Sequence, residues 1–237
     1  MTKLRVSRMP SGEPEIFHSI QGEGVSLGVP TVFLRLATCN LTCTWCDTRY
    51  TWDWKSYSYA ESVAEYDVAD LESRVLTHGC NHLVITGGEP LMQQRNLAPL
   101  AESLHRKGVY CEVETNGTFE PSPQMRDAIS QWNVSPKLGN SGETLKKREV
   151  PDALRAFSGM DNAFFKFVIA APEDVAEVEA LVQRYDIVHE RVLLMPEGTT
   201  PAALNERARW LAELCRREGF RMTTRLHILL WGDERGK

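Results

Sequence analysis

Thr38-Cys39-Asn40-Leu41-Thr42-Cys43-Thr44-Trp45-Cys46-Asp47-Thr48 carries three cysteines within eight residues, in the spacing C-x3-C-x2-C. The stretch follows an apolar, β-rich run at residues 31–36, which predicts a strand. We therefore expect the three thiols on a loop at the carboxyl end of that strand. A structural zinc ion takes four protein ligands, and so does an ordinary [4Fe–4S] cluster. Three close thiolates without a fourth nearby favour a cubane cluster whose remaining iron is open to a small molecule.

This spacing, with Trp45 directly before the third cysteine, resembles the radical S-adenosylmethionine (SAM) superfamily. The resemblance implies that Cys39, Cys43 and Cys46 are the ligands of a [4Fe–4S] cluster and that the open iron binds the amino and carboxylate groups of SAM. It also implies that Trp45 lies against the adenine and that one electron cleaves SAM to a 5′-deoxyadenosyl radical. A structural zinc knuckle and three unrelated buried cysteines are the alternatives.

Composition restricts the other classes of function. The net charge of -5 gives no overall basic field, so we expect neither nucleic acid nor an anionic membrane as a partner. No apolar run approaches the roughly 20 residues that span a bilayer, and residues 1–10 show no signal peptide, so we expect a cytoplasmic protein. A chain of this length does not need disulfides, and Cys80, Cys111 and Cys215 are interpreted as small buried side chains.

Strands and helices alternate six or seven times along the chain. This pattern predicts βα units and a parallel sheet. Right-handed crossovers would curl so many units into an α/β fold, a partial, open TIM-like β/α barrel of about six parallel strands. The resemblance to the radical SAM superfamily implies a fold of the same type. The predicted strands are residues 31–36, 82–86, 109–114, 132–135, 163–169, 192–195 and, last, about 222–228.

Polar clusters fall at the predicted carboxyl ends of these strands, where such folds bind their ligands. Thr86-Gly87-Gly88-Glu89-Pro90 resembles the GGEP motif of the superfamily, in which glycines permit close approach of the backbone to a ligand and Glu89 offers an acceptor near the SAM ammonium. The alternatives are an ordinary turn and solvated loop polarity. The resemblance places the cofactor contacts at Trp45, Asp47, Gly88, Glu89, Glu114, Ser135 and Lys137.

Three further features resemble the 7-carboxy-7-deazaguanine synthase family: residues 15–24, Arg35, and Cys46-Asp47-Thr48-Arg49-Tyr50-Thr51-Trp52. That family converts 6-carboxy-5,6,7,8-tetrahydropterin to 7-carboxy-7-deazaguanine, as a carbon–nitrogen lyase in deazapurine and queuosine biosynthesis. The implied mechanism abstracts the C6 hydrogen, contracts the ring with loss of ammonia, and returns the hydrogen to regenerate SAM.

The same resemblance implies the substrate contacts and a magnesium site. Thr48 would supply its hydroxyl to Mg2+, which prefers oxygen ligands, although threonine also caps turns. Arg35 would bind the substrate carboxylate in a bidentate manner, or else face outward in an ion pair. His227 is a substrate contact or a structural histidine. The remaining substrate contacts would be Ile20, Gln21, Gly22, Glu23, as an acceptor for the pterin N–H edge, and Thr86.

We expect a single domain over residues 1–237, with residues 1–30 as an N-terminal substrate-binding segment and 31–237 as the partial barrel. Lys166 lies in an apolar strand, where it should point into the barrel toward an anion or extend outward to solvent. The expected partners are an electron donor such as flavodoxin and a second copy, in a homodimer favoured by the aromatic segment 52–59. Two other functions stay open: an activase for glycyl-radical enzymes, and a non-catalytic zinc or redox-sensing module.

Overall fold

The computed structural model describes residues 2–237, in which ten strands join one sheet. The strands are β1 (Lys3–Ser7), β2 (Ile16–Ile20), β3 (Pro30–Leu36), β4 (Val63–Asp67), β5 (His82–Gly87), β6 (Tyr110–Thr115), β7 (Gln131–Val134), β8 (Ala163–Ile169), β9 (Val192–Pro196) and β10 (Arg221–Met222).

Helices connect these strands and cover the sheet. The α-helices are α1 (Tyr59–Ser62), α2 (Val68–Thr77), α3 (Gln94–Arg106), α4 (Pro123–Ala128), α5 (Leu145–Arg148), α6 (Pro151–Ser158), α7 (Asp174–Arg184), α8 (Pro201–Glu218) and α9 (Leu226–Trp231). Short 3-10 turns occupy Arg49–Thr51, Pro90–Gln93, Gly139–Ser141 and His189–Arg191. Within residues 2–237, no helix combines the length and the apolar character that crossing a membrane requires.

The sheet is open and mostly parallel. Its order is β10-β9-β8-β7-β6-β5-β3-β1-β4, and β2 pairs with β3 outside this path. From β3 to β10 every neighbouring pair is parallel, whereas β1, β2 and β4 pair in the antiparallel sense. The predicted partial, open barrel of about six parallel strands is therefore confirmed, with a two-residue strand and three antiparallel strands added to it.

Alternation along β8 shows how the chain separates core from barrel interior. Phe165, Phe167 and Ile169 belong to the apolar core that the helices cover. The side chains between them point to the opposite face because successive residues of a strand alternate. Lys166 and Val168 therefore face the interior of the barrel, where both line a cavity.

Two parts of the predicted topology are wrong. Residues 226–228 lie in helix α9, and the last strand is limited to β10, because a short apolar run does not distinguish a strand from a helix. Strand β1 was not predicted, and neither was β4, with which it pairs in antiparallel register from Lys3–Asp67 to Ser7–Val63. The run Lys3–Ser7 does alternate polar and apolar residues, so the sequence carried a signal for β1.

Candidate active site

A cavity of about 250 Å³ opens at the carboxyl ends of the parallel strands. It is lined by residues at the ends of β5, β6 and β9, by the cysteine loop after β3, and by the segment that follows β2. The structure brings nearly every predicted site residue to this one place. The predicted residues that line the cavity are Ile20, Gln21, Gly22, Glu23, Arg35, Cys39, Cys43, Trp45, Cys46, Asp47, Thr48, Thr86, Gly88, Glu114, Ser135, Lys137 and His227.

Backbone contacts with the end of β5 hold the start of the cysteine loop. Thr38 adopts a left-handed φ of 74°, a sparsely populated conformation for a β-branched residue. Gly88 N donates to Leu36 O at 3.0 Å, and Glu89 N donates to Thr38 O at 2.8 Å. A Cβ atom on Gly87 or Gly88 would overlap the carbonyl oxygen of Leu36 or Thr38, respectively. The two glycines thus let the GGEP turn lie directly against the cysteine loop.

The donor set of the cysteine loop fits an iron–sulfur cluster. All three cysteines are free thiols that line the cavity. Cys39 Sγ accepts a hydrogen bond from the backbone N–H of Leu41 at 3.4 Å, and Cys46 Sγ accepts one from Trp52 Nε1 at 3.3 Å, the kind of contact that tunes cluster sulfurs. In the part of the chain that the structure describes, no three His, Cys, Asp or Glu side chains are arranged to hold a single metal ion.

Burial keeps the thiols of Cys39 and Cys43 protonated until a metal binds. Loss of hydration raises the pKa of Cys39 to about 12, and it also raises the pKa of Cys43. A thiol that coordinates a metal loses its proton outright, because the positive charge of the metal stabilises the thiolate. The site is therefore suited to metal ligation and not to nucleophilic catalysis by a free thiolate.

Glu89 is the one predicted contact that does not line the cavity. Its carboxylate is fully buried behind the wall and accepts hydrogen bonds from Leu91 N at 3.0 Å, Thr115 Oγ1 at 2.8 Å and Asn116 N at 2.7 Å. Asn116 Nδ2 in turn donates to Asn40 Oδ1 at 2.9 Å, within the cysteine loop. Glu89 therefore braces β5, β6 and the cysteine loop against one another.

The predicted adenine contact is held from two sides. Trp45 Nε1 donates to Asn140 Oδ1 at 3.2 Å, and the Lys137 ammonium lies 5.3 Å from the centroid of the indole ring. Lys137 also donates to Ser135 Oγ at 2.9 Å. The indole is thereby fixed in the wall of the cavity beside a positive charge.

Arg35 points into the cavity from β3 and is anchored at one nitrogen. Its Nε donates to Glu15 Oε1 at 2.9 Å. This is the only hydrogen bond that the guanidinium makes to the protein within residues 2–237. Glu15 is fully buried, and it also accepts from Tyr50 OH at 3.0 Å and from Arg235 Nη2 at 2.5 Å. Burial acts to raise the pKa of Glu15, but the two arginines outweigh it and the pKa is lowered. Both Nη groups of Arg35 are thus oriented and available to a ligand.

Lys166 points into the barrel toward two carboxylates, as predicted. Its Nζ donates to Glu23 Oε2 at 2.5 Å and to Glu114 Oε2 at 2.8 Å. Burial acts to lower the pKa of Lys166, but the two carboxylates reverse the effect and raise it, so the ammonium is charged. The pKa of Glu23 is lowered by its cations in spite of burial, whereas burial leaves the pKa of Glu114 raised.

Arg225 is a site residue that sequence reasoning missed. Its Nε donates to Glu23 Oε1 at 3.0 Å, Nη1 donates to Gly198 O at 2.7 Å, and Nη2 is paired with Asp47 Oδ2. Because 202 residues separate it from Glu23 and 178 from Asp47, no local pattern indicates these pairs. Arg225 connects the predicted pterin-binding segment with the residue that follows the third cysteine.

His227 packs against the backbone of the segment that follows β2. A Cβ atom on Gly22 would overlap the imidazole of His227, so this close approach requires glycine. Leu226 N donates to Gly22 O at 2.8 Å and fixes the contact. Burial lowers the pKa of His227, and the imidazole is therefore neutral at pH 7.

Thr48 is a lining residue of the cavity. It precedes the 3-10 turn Arg49–Thr51, but its side chain makes no capping hydrogen bond there. Its Oγ1 lies 3.6 Å from Cys46 Sγ. Mg2+ usually takes only one or two ligands from the protein and the rest from water and substrate, so a single hydroxyl ligand from Thr48 is compatible with a magnesium site.

Comparisons with known proteins point to one chemistry. The family model of a 4Fe-4S single cluster domain matches residues 20–133. A 7-carboxy-7-deazaguanine synthase of Pyrobaculum aerophilum is 41% identical over 225 residues, which cover 94% of this chain and 96% of that protein. The crystal structure of QueE from Escherichia coli superposes with a TM-score of 0.70 at 25% identity and covers 95% of each chain.

A second solved structure shares the fold alone. Streptococcus suis SuiB bound to S-adenosylmethionine superposes with a TM-score of 0.53 at 13% identity. The alignment covers 81% of this chain and 49% of that one.

Proposed function

The chain belongs to the 7-carboxy-7-deazaguanine synthase family of radical SAM enzymes, and from this premise we propose which residues carry the reaction. The reaction converts 6-carboxy-5,6,7,8-tetrahydropterin to 7-carboxy-7-deazaguanine, with ring contraction and loss of ammonia. Membership in this family leaves no support for an activase of glycyl-radical enzymes or for a non-catalytic metal module.

One observation carries the assignment of residues. The cysteine loop and the segment that follows β2 are separate in sequence, yet both line one cavity of about 250 Å³. A cofactor on the cysteine side and a small planar substrate on the other side would therefore lie next to each other. Such proximity is what the transfer of a hydrogen atom between them requires.

On the cofactor side, Cys39, Cys43 and Cys46 would hold the [4Fe–4S] cluster. When bound, the cluster and SAM supply the hydrogen abstraction that starts the ring contraction. Trp45 would lie against the adenine, and the remaining polar contacts to SAM would come from Asp47, Gly88, Ser135 and Lys137, all of which line the cavity.

On the substrate side, Arg35 would bind the carboxylate through its two Nη groups, a bidentate geometry that guanidinium groups favour. Glu23 is ionised between Lys166 and Arg225 and would accept hydrogen bonds from the N–H edge of the pterin. The remaining contacts would come from Ile20, Gln21, Gly22, Thr86 and the neutral imidazole of His227. Thr48 would complete the site with a hydroxyl ligand to Mg2+.

The test is turnover by the reconstituted protein. The protein is loaded anaerobically with iron and sulfide, reduced, and incubated with SAM, Mg2+ and 6-carboxy-5,6,7,8-tetrahydropterin. We expect 7-carboxy-7-deazaguanine and ammonia in equal amounts, with SAM needed only catalytically because it is regenerated. Cleavage of SAM without any pterin-dependent product would overturn the proposed substrate.

The proposal extends to partners. We propose a flavodoxin-type protein as the electron donor and a homodimer as the assembly. The aromatic segment supports a dimer, because Trp54, Tyr57 and Tyr59 are 37%, 42% and 45% exposed and therefore offer apolar surface. Sedimentation at graded concentrations tests the dimer, and a monomer at all concentrations would contradict it.

A further inference from the structure

Lys166 is buried at the centre of the substrate side of the cavity. The residue is 4% exposed, and Nζ contacts carboxylates that come from two different elements, Glu23 after β2 and Glu114 in β6. Burying an ammonium is costly unless opposite charges and hydrogen bonds compensate it. The strand that carries it is otherwise apolar, so neither the core nor the sheet requires a lysine at this position.

The two carboxylates connect Lys166 to two of the predicted pterin-binding side chains. Glu23 is one of them. The other is Gln21, whose Nε2 donates to Glu114 Oε1 at 3.3 Å and whose Oε1 accepts from the backbone N–H of Glu23 at 3.3 Å. Both the nitrogen and the oxygen of the Gln21 amide are thereby hydrogen-bonded. The orientation of the amide therefore depends on the position of Glu114 Oε1.

The arrangement does more than neutralise charge. Arg225 already pairs with Glu23, so that carboxylate does not need a second cation in order to be ionised. Glu114 has Lys166 as its cation, and its other oxygen accepts from Asn133 Nδ2 at 3.0 Å as well as from Gln21. Without the ammonium, Glu23 and Glu114 would face each other as two partly buried acids, which repel each other when both are ionised. The positions of Glu23 and Gln21 would then change together.

We propose that Lys166 is a positioning residue that orients Glu23 directly, and Gln21 through Glu114, so that both present hydrogen-bonding groups to the N–H edge of the pterin. The inference rests on the proposed function. It assigns Glu114 to the support of the substrate site, in place of the predicted contact with SAM. It also predicts a selectivity, because an oriented carboxylate distinguishes a 2-amino group, which donates, from a 2-oxo group, which does not.

The test uses Lys166→Met, which keeps the length of the side chain and removes its charge. Binding of two probes to the cluster-loaded protein is measured at equilibrium: 6-carboxypterin, and 6-carboxylumazine, which carries oxygen in place of the 2-amino group. SAM binding is measured on the same samples as an internal control. Lys107→Met, at an ion pair with Glu72 far from the cavity, is the matched control for the substitution itself.

We expect Lys166→Met to weaken 6-carboxypterin binding by about tenfold or more, in the range of one lost charged hydrogen bond, and SAM binding by less than about twofold. We also expect the preference for the pterin over the lumazine to shrink in this variant. Equal affinity of variant and wild type for 6-carboxypterin would overturn the inference, and so would a parallel loss for pterin and SAM.

Two further results separate the possible causes of failure. If wild-type protein binds SAM but not 6-carboxypterin, the proposed function fails, and the positioning role fails with it. If Lys166→Met does not fold, the double variant Lys166→Met/Glu114→Gln replaces one of the two facing acids with an amide. The same tenfold loss and reduced selectivity in that variant would support the inference, and wild-type selectivity would overturn it.

Discussion

Replacing Arg35 with alanine tests the carboxylate clamp. Within residues 2–237, the guanidinium of Arg35 donates a hydrogen bond only through Nε, to Glu15, and Arg35 lines the cavity. Alanine therefore removes both Nη groups from the substrate while leaving the cofactor side of the cavity untouched. It also leaves Glu15 with one cation, Arg235, and with the hydroxyl of Tyr50.

The expected magnitude follows from the two lost hydrogen bonds. A hydrogen bond to a charged partner contributes about 1.5–3 kcal/mol, so two such bonds at the lower bound give about 3 kcal/mol. Since 1.4 kcal/mol corresponds to tenfold in affinity, the Kd for the carboxylated pterin should rise by about 100-fold. The Kd for SAM should change little, because the hydrogen bond of Arg35 goes to Glu15 and not to a predicted SAM contact.

The assay compares binding of 6-carboxypterin, of pterin without the carboxylate, and of SAM to wild type and to Arg35→Ala. Arg235→Ala is the matched control, because it removes the other cation from the same carboxylate, and Arg235 does not line the cavity. Both variants should lower the free energy of unfolding, but only Arg35→Ala should lose the preference for the carboxylated pterin.

Two results would refute the reasoning. The first is an equal loss of SAM and 6-carboxypterin affinity in Arg35→Ala, which would show a general disturbance of the site. The second is the same loss of pterin affinity in Arg235→Ala, which would assign the effect to Glu15 and not to the clamp.

Four further outcomes are expected. Cys43→Ala should abolish cluster assembly and turnover, as seen in iron content and product formation, and wild-type-like turnover would exclude it as a ligand. Gly22→Ala should lower the free energy of unfolding by about 1–3 kcal/mol through overpacking, and it should weaken 6-carboxypterin binding because the new methyl would displace His227; unchanged affinity would contradict this. Thr48→Ala should keep its iron but lose stimulation by Mg2+ in a turnover assay, and retained stimulation would place the ion elsewhere. Cations lower the pKa of Glu23 below its ordinary 4.5, although burial opposes them. Its contribution to stability is therefore fully present above that pH and is lost as the pH falls further; acid unfolding of Glu23→Gln should depend less steeply on pH, and an unchanged slope would contradict the pairing.

The parts of this protein that could be predicted from its sequence are those with a local signal. Strand β8 has the predicted bounds, residues 163–169, because an apolar run marks its ends. The cysteine loop follows β3 as predicted. The sequence predicts its position at the carboxyl end of the strand, because the cysteine motif directly follows the strand along the chain.

The remaining features depend on contacts between distant segments. Arg225 and Arg235 reach the site from the far end of the chain, and nothing near them in sequence indicates their carboxylate partners. The GGEP motif correctly locates the site but does not predict what its residues contact. Glu89 lies behind the cavity wall, and the glycines lie against the cysteine loop. These positions are decided by how β5 and β6 pack, which a motif does not describe.

The most direct test of the central claim combines iron and sulfide analysis with electron paramagnetic resonance of the reduced protein. Three thiolates that leave one iron open should hold about four irons and four sulfides per chain, and adding SAM should change the spectrum of the reduced cluster. A single zinc ion per chain, or a reduced cluster whose spectrum is the same with and without SAM, would contradict the claim.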